Sequence, residues 1–201
     1  MHFFATATVL ALSATAAFSA PTANDGSDAS ASFATITSFG LNGSGCPPGS
    51  ASTTTKGDKS AVTAVFSQFT PSVSTQSFRQ NCQASIQVTI PSGKKFTVDK
   101  VAYNGFVQLD SKVSVVHGSI VYFQAQTQQQ SASDTLKGPT TKEVDLSNTF
   151  SSSGAVWSAC GATSAIVNVD ISVVLNASGN SDGFASVDTA NFGPFKLVDC
   201  Y

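Results

Sequence analysis

The sequence predicts an all-β protein: an antiparallel β-sandwich or flattened barrel stapled by two disulfides. Three observations carry that prediction. Apolar and polar residues alternate along several segments, the period-2 signature of half-buried strands. Those segments are short and are separated by clusters of Gly, Pro, Asn and Ser. No stretch shows convincing helical periodicity or a capped helix start. Many short strands between turn residues fit a sandwich or a barrel.

In chain order, residues 1–19 read as a secretory signal peptide. The apolar run near Phe3–Leu12 is too short and too rich in Ser and Thr for a good membrane span, and small residues follow it. Cleavage is expected after Ser19 or after Ala17. Residues 20–32 (APTANDGSDASAS) are small and polar and read as a flexible mature N-terminus or a propeptide. Residues 33–201 are expected to form a single β-sandwich domain, a length that can bury a substantial core.

Within that domain "FATITSFG" opens as a short strand, with Phe33, Thr35, Thr37 and Phe39 on one parity. "LNGSGCPPGSAS" is a loop by its Gly and Pro content, pinned at Cys46. "AVTAVFSQF" (Ala61–Phe69) reads as a strand, although its apolar spacing also admits a short helix. Cys82, Ala84, Ile86, Val88 and Ile90 then face one way, against Gln83, Ser85, Gln87 and Thr89. "PSGKK" turns this strand into "FTVDKVAYNGFVQL", a hairpin by composition. The parity slips between Phe96/Val98 and Val101/Tyr103, which predicts a bulge.

"VSVVHGSIVYFQAQTQ" sets Val121, Phe123 and Ala125 against Gln124, Gln126 and Gln128, with a turn expected at His117. "TKEVDLSNTF" is a weaker strand. The cleanest alternation is "SAIVNVDISVVLNASG", where Ala165, Val167, Val169, Ile171, Val173 and Leu175 oppose Asn168, Asp170, Ser172 and Asn176. After the "ASGNSDG" loop, "FASVDTANF" is expected to return as its hairpin partner, and "GPFKLVDCY" closes the chain.

Charged residues make up only 11% of the 201 residues, against about 25% in an average soluble domain. The net charge is −2, Arg79 is the sole arginine, and Lys94-Lys95 is the only basic doublet. A nucleic-acid partner is therefore not expected, because phosphate neutralisation needs clustered cations. No segment after the leader is long and apolar enough for a membrane span, and there is no lipidation motif.

Cys46, Cys82, Cys160 and Cys200 are the four cysteines. An even number in a secreted chain argues for two disulfides. Three pairings are possible. Cys46–Cys82 with Cys160–Cys200 is favoured because it closes two separate loops of roughly 35–40 residues, each stabilising by roughly 4 kcal/mol in the chain-entropy description. A zinc site is not expected, since there is no CxxC pair and one histidine survives processing.

Several blocks taken together resemble one family. They are "GSGCPPGSAS" around Cys46, "FSQFTPSV", "RQNCQASIQVTIPSGKKFTV", Gly138-Pro139, and "WSACG" with a C-terminal cysteine. In this order they are similar to the secreted domain-of-unknown-function family numbered 4360, found in fungi and some bacteria. The resemblance runs from about Phe33 to Cys200. It implies a small secreted β-rich domain and supports the disulfide pairing above. It implies no activity and carries over no catalytic residue.

The residues offer few centres for chemistry. His117 is the only histidine outside the leader, so a Ser-His-Asp triad or a metal ligand would have to use it. No GxSxG elbow precedes a serine, and His117 is expected as an ordinary loop residue. A copper site on an N-terminal histidine is excluded by a mature chain starting near Ala20 or Phe18. A glycoside hydrolase needs facing carboxylates. Glu143 is the only glutamate, Asp145 shares its strand face, and Asp170 sits on an outward position.

Asn176, Asn180, Asp182 and Asp188 could supply oxygens to calcium, but their spacing is not that of an EF-hand and suits a turn. Asn42-Gly43-Ser44 and Asn176-Ala177-Ser178 are glycosylation sequons in expected loops. Among the aromatics, Trp157 and Tyr103 are candidates for a ligand platform.

The reading is a secreted, non-catalytic β-sandwich with an extracellular interaction role, at a cell wall, a host surface or as an effector. Its expected partner is a polysaccharide or another extracellular protein, and no catalytic residue, metal or cofactor is assigned. The alternative is an extracellular carbohydrate- or ester-directed hydrolase using His117 or a Glu143/Asp pair.

Overall fold

The computed structural model describes residues 33–76 and 78–201. The expected signal peptide (1–19) and N-terminal segment (20–32) lie outside the described residues. Among the described residues thirteen strands follow one another: β1 (Thr35–Asn42), β2 (Ala51–Thr55), β3 (Val62–Phe66), β4 (Arg79–Thr89), β5 (Lys94–Thr97), β6 (Lys100–Leu109), β7 (Val113–Phe123), β8 (Gln129–Lys137), β9 (Thr140–Thr149), β10 (Ser164–Ala177), β11 (Gly183–Ala185), β12 (Thr189–Phe192) and β13 (Lys196–Asp199). The only helical element among the described residues is a 3-10 turn at Ser152–Gly154.

One sheet has five strands in the order β1-β4-β10-β7-β8. A second runs β11-β6-β12-β3-β2, with β9 also paired to β6, and β5 and β13 form a separate ribbon. All strand pairs are antiparallel. The predicted antiparallel sandwich with two disulfides is the observed fold.

The alternation sets which side chains the two sheets enclose. On β4 the cysteine parity is buried and the glutamine parity is not. β10 repeats the pattern beside it, with Val169 opposite Ala84 and Ile171 opposite Cys82. Rings knit the interior: Phe96 meets Phe123 and Phe195 with centroids 5.1 Å apart, and Phe39 meets Phe192 at 5.4 Å. The disulfides are Cys46–Cys82 and Cys160–Cys200.

Several local expectations need correction. Ala61–Phe69 contains the strand β3, so its helical alternative is not realised. Ala34, just before β1, and Ile36 within it are buried rather than Phe33 and Thr35, because a register shift between Ile36 and Ser38 reverses the parity before Phe39. β5 does not form a hairpin with β4. It pairs with β13, and the expected slip is a break at Val98–Asp99 after which β6 starts afresh in the second sheet.

β11 and β12 likewise do not return along β10. They cross to β6 and β3 on the other sheet. Ala125 is exposed in a turn with φ 66 instead of facing the core. The segment 140–149 is a full strand, because all ten of its residues pair with β6.

A buried polar bridge joins the two layers. The Tyr103 hydroxyl donates to Asn148 Oδ1. Asn148 Nδ2 donates to the carbonyls of His117 (3.2 Å) and Ala132 (3.0 Å) on the opposite sheet. Such a fully paired group specifies how the layers stack, since leaving it unpaired in the core would be costly.

Candidate functional site

The outward parity of β4, β10 and β7 carries one connected set of amides and hydroxyls. Tyr122 Oη donates to Gln83 Oε1 at 3.0 Å. Gln83 Nε2 donates to Asn168 Oδ1 at 3.3 Å, and Ser85 Oγ donates to the same oxygen at 2.7 Å. One step along the strands, Asn81 Nδ2 donates to Asp170 Oδ1 at 3.0 Å.

The Cys46 loop joins this set from the side. Ser44 Oγ donates to Asn81 Oδ1 at 3.4 Å and accepts from the Asn81 amide at 3.1 Å. The loop lies close enough that a Cβ at Gly43, whose φ is +152, would fall 2.2 Å from the Asn81 carbonyl oxygen. Gly45 N donates to that same carbonyl, and the disulfide from Cys46 to fully buried Cys82 anchors the loop.

The network fixes each side chain before any ligand arrives. Asn168 is only 7% exposed although it points outward, because Gln83, Ser85 and Tyr122 pack around it across the register. Its Oδ1 is saturated by two donors, and among the described residues its Nδ2 has no hydrogen-bond partner. Held dipoles of this kind recognise neutral hydroxyls at low entropic cost. Asp170 is the one carboxylate in the set.

A shallow groove of about 410 Å³ lies at the end of the same sheet. Its walls are Gln126, Gln128 and Gln129 on one side and Ser153–Trp157 on the other. Gln126 Nε2 donates to the Trp157 carbonyl at 3.1 Å. Trp157 is half-buried, with Lys95 Nζ 5.5 Å from its ring centroid, a cation–π contact. Trp157 thus sits where a ligand can reach it.

The other platform candidate does not. Tyr103 is 3% exposed, because it shares the inward parity of Val101 and Val107. Burial raises its hydroxyl pKa, with the Asp134 charge adding to the effect.

His117 is not a loop residue. It sits in mid-β7, 1% exposed, edge-on to Tyr103 at 5.4 Å. Ser119 shares its inward parity, and Asp134 lies opposite it on β8. The three residue types of a triad are therefore neighbours, yet among the described residues Nδ1, Nε2 and Ser119 Oγ have no hydrogen-bond partner. His117 and Ser119 are closed off from solvent.

Glu143 and Asp145 share the exposed face of β9, opposite Phe106 and Asn104. Asp170 belongs to the other sheet, so the three carboxylates do not converge. Among the described residues no group of three or more His, Cys, Asp or Glu could hold a metal. Asp182 accepts from the Gly183 amide, an ordinary turn contact.

The parity of Gln83, Ser85, Asn168 and Asp170 is legible in the sequence as an outward face. What it lacks is the register that places Asn168 between Ser85 and Tyr122, and that could not be found from one chain's pattern.

The family described as Domain of unknown function (DUF4360) matches residues 32–196. An "Uncharacterized secreted protein" of Arthroderma benhamiae is 36% identical over 161 residues, 78% of this chain and 65% of that protein. The chain therefore spans just under two thirds of that relative's length. Among solved structures, TmCBM61 in complex with beta-1,4-galactotriose aligns at 14% identity over 79% of this chain and 90% of its own, with a TM-score of 0.26. Another, described as "CBM4 structure and function", aligns at 10% identity over 81% and 86%, with a TM-score of 0.23. At those scores neither bears on the architecture described above or on a ligand for this chain.

Proposed function

We propose that this chain, which belongs to the DUF4360 family, is a secreted, non-catalytic protein that binds polysaccharide outside the cell. One observation carries the reading: the preorganised amide and hydroxyl network from Asn81 to Tyr122 on the outer face of the five-stranded sheet. Sugars present dense neutral donors and acceptors, and this face offers the complement with a single carboxylate and a half-buried tyrosine ring. Two disulfides suit an oxidising compartment, and residues 1–19 would direct export. The hydrolase alternative is not favoured, since its histidine is buried with no hydrogen-bond partner among the described residues and its carboxylates stand apart.

The test is co-sedimentation of the secreted protein with insoluble chitin, β-1,3-glucan and cellulose. The wild type is expected to sediment with at least one of them. Asn168→Ala, with an unchanged melting temperature, should bind about tenfold more weakly, the equivalent of one good hydrogen-bonding group. Absence of binding to all three, or wild-type binding by Asn168→Ala, would count against the reading.

The same protein is expected to carry N-glycans at Asn42 and Asn176, both exposed at strand ends. Enzymatic deglycosylation of material from a eukaryotic host should lower its mass in two steps. Asn42→Gln and Asn176→Gln should each remove one step.

A further inference from the structure

We infer that the bound polysaccharide is a linear neutral chain lying across the strands, along a row that ends in the Trp157 groove. This rests on the polysaccharide reading above and assigns its site. The row follows from the registers. Gly40 lies opposite Ser85, Ser85 opposite Asn168, Asn168 opposite Tyr122, and Tyr122 opposite Gln129. Five adjacent strands contribute one residue each, so four steps of about 4.8 Å give a track about 19 Å long.

The two ends of the row are unlike, and both suit a chain that continues. At the β1 edge, Gly40 has open space around its Cβ position, so no side chain walls the track off. At the β8 edge, Gln129 is both the cross-strand neighbour of Tyr122 and a wall of the Trp157 groove. Face and groove are one continuous surface joined at that residue.

Along the track, hydrogen-bonding side chains and aromatic rings lie next to one another. Asn168 Nδ2 and Ser85 supply hydrogen bonding at the centre. Tyr122 beside it and Trp157 at the end supply flat apolar faces with polar rims. Ile166, 36% exposed, follows the row on β10.

The chemistry indicates an uncharged, extended ligand. The row itself holds no charged residue, and a flat track without deep walls favours length over a single residue in a pocket. Gln83, in the neighbouring row on the same face, holds both Tyr122 and Asn168.

The experiment is calorimetric titration of the secreted protein with chitohexaose, laminarihexaose and cellohexaose, and with the matching disaccharides. At least one hexaose should bind about tenfold or more tightly than its disaccharide. Trp157→Ala and Tyr122→Ala should each remove most of that advantage. In ¹⁵N-labelled wild-type protein, the same hexaose should shift the signals of Ser85, Asn168, Tyr122 and Gln129 and the Trp157 indole. That measurement needs no variant to fold.

Equal affinity for dimer and hexamer, or shifts gathered around Glu143 on the other sheet, would overturn the row while leaving polysaccharide binding intact. Absence of any hexaose binding together with absence of sedimentation would overturn both.

Discussion

The double substitution Cys46→Ala/Cys82→Ala is expected to lower the free energy of unfolding by about 4 kcal/mol. The bridge spans 36 residues, and the chain entropy released by opening a loop of that size gives that magnitude. Packing adds to it, since Cys82 is fully buried and Cys46 3% exposed. Removing both sulfurs leaves unfilled volume between β4 and the 43–50 loop.

The second bridge makes an informative comparison. Cys160–Cys200 spans 40 residues, so its entropic share is nearly the same, but Cys160 is exposed and Cys200 half-buried. Cys160→Ala/Cys200→Ala should therefore cost less. The chain before Cys160 also stays attached without it, because Ser158 and Phe96 exchange two hydrogen bonds of 2.9 and 3.0 Å. Urea unfolding of both variants checks the ordering, and a larger loss from the second pair would contradict it. The first pair should also weaken polysaccharide binding, because it releases the loop that brings Ser44 to Asn81.

How far these features could be read from the chain depends on the range of the interactions that make them. Alternation in β4 and β10 is a local property, enforced by neighbouring residues facing opposite sides, so the buried parity from Cys82 to Leu175 was legible. Pairing is not local. The turn residues 91–93 look like a hairpin, yet β5 finds β13 about a hundred residues away, and β11 and β12 leave β10 for the other sheet.

Histidine 117 shows the same limit. "HGS" has turn composition, but β10 and β8 flank it and hold it extended. Tyr103 reads as a surface candidate only because an aromatic ring gives no sign of its own exposure, and in the fold it is buried. The binding row was legible only as separate outward residues, since its continuity from Gly40 to Gln129 exists only once five strands are in register.

Between pH 7 and pH 4 the protein is expected to lose about 3 kcal/mol of stability through His117 alone. Burial lowers its pKa from 6.5 to about 4 in the folded chain. The folded state therefore keeps the ring neutral while the unfolded chain takes up a proton near pH 6.5. In that interval the unfolded state binds more protons, so stability is complete above about pH 6.5. It falls as the pH drops and stops falling, for this group, below about pH 4.

Two groups face the ring from packed strands: Tyr103 on β6, edge-on at 5.4 Å, and Asp134 on β8, opposite in register. The Tyr103 hydroxyl donates to Asn148 Oδ1 and, among the described residues, accepts nothing from the ring nitrogens of His117. Among the described residues neither ring nitrogen has a hydrogen-bond partner, so burial disfavours the charged ring. His117→Leu removes the titrating group and two unpaired nitrogens at similar volume. Its stability at pH 7 should be no lower than the wild type's, and its decline toward pH 4 should be shallower by about 3 kcal/mol. Urea midpoints across that range, with the His117 Cε1 proton followed by NMR, test both halves. Parallel stability curves for the two proteins, or an imidazole that titrates near 6.5 in the folded state, would show that the core tolerates the charge.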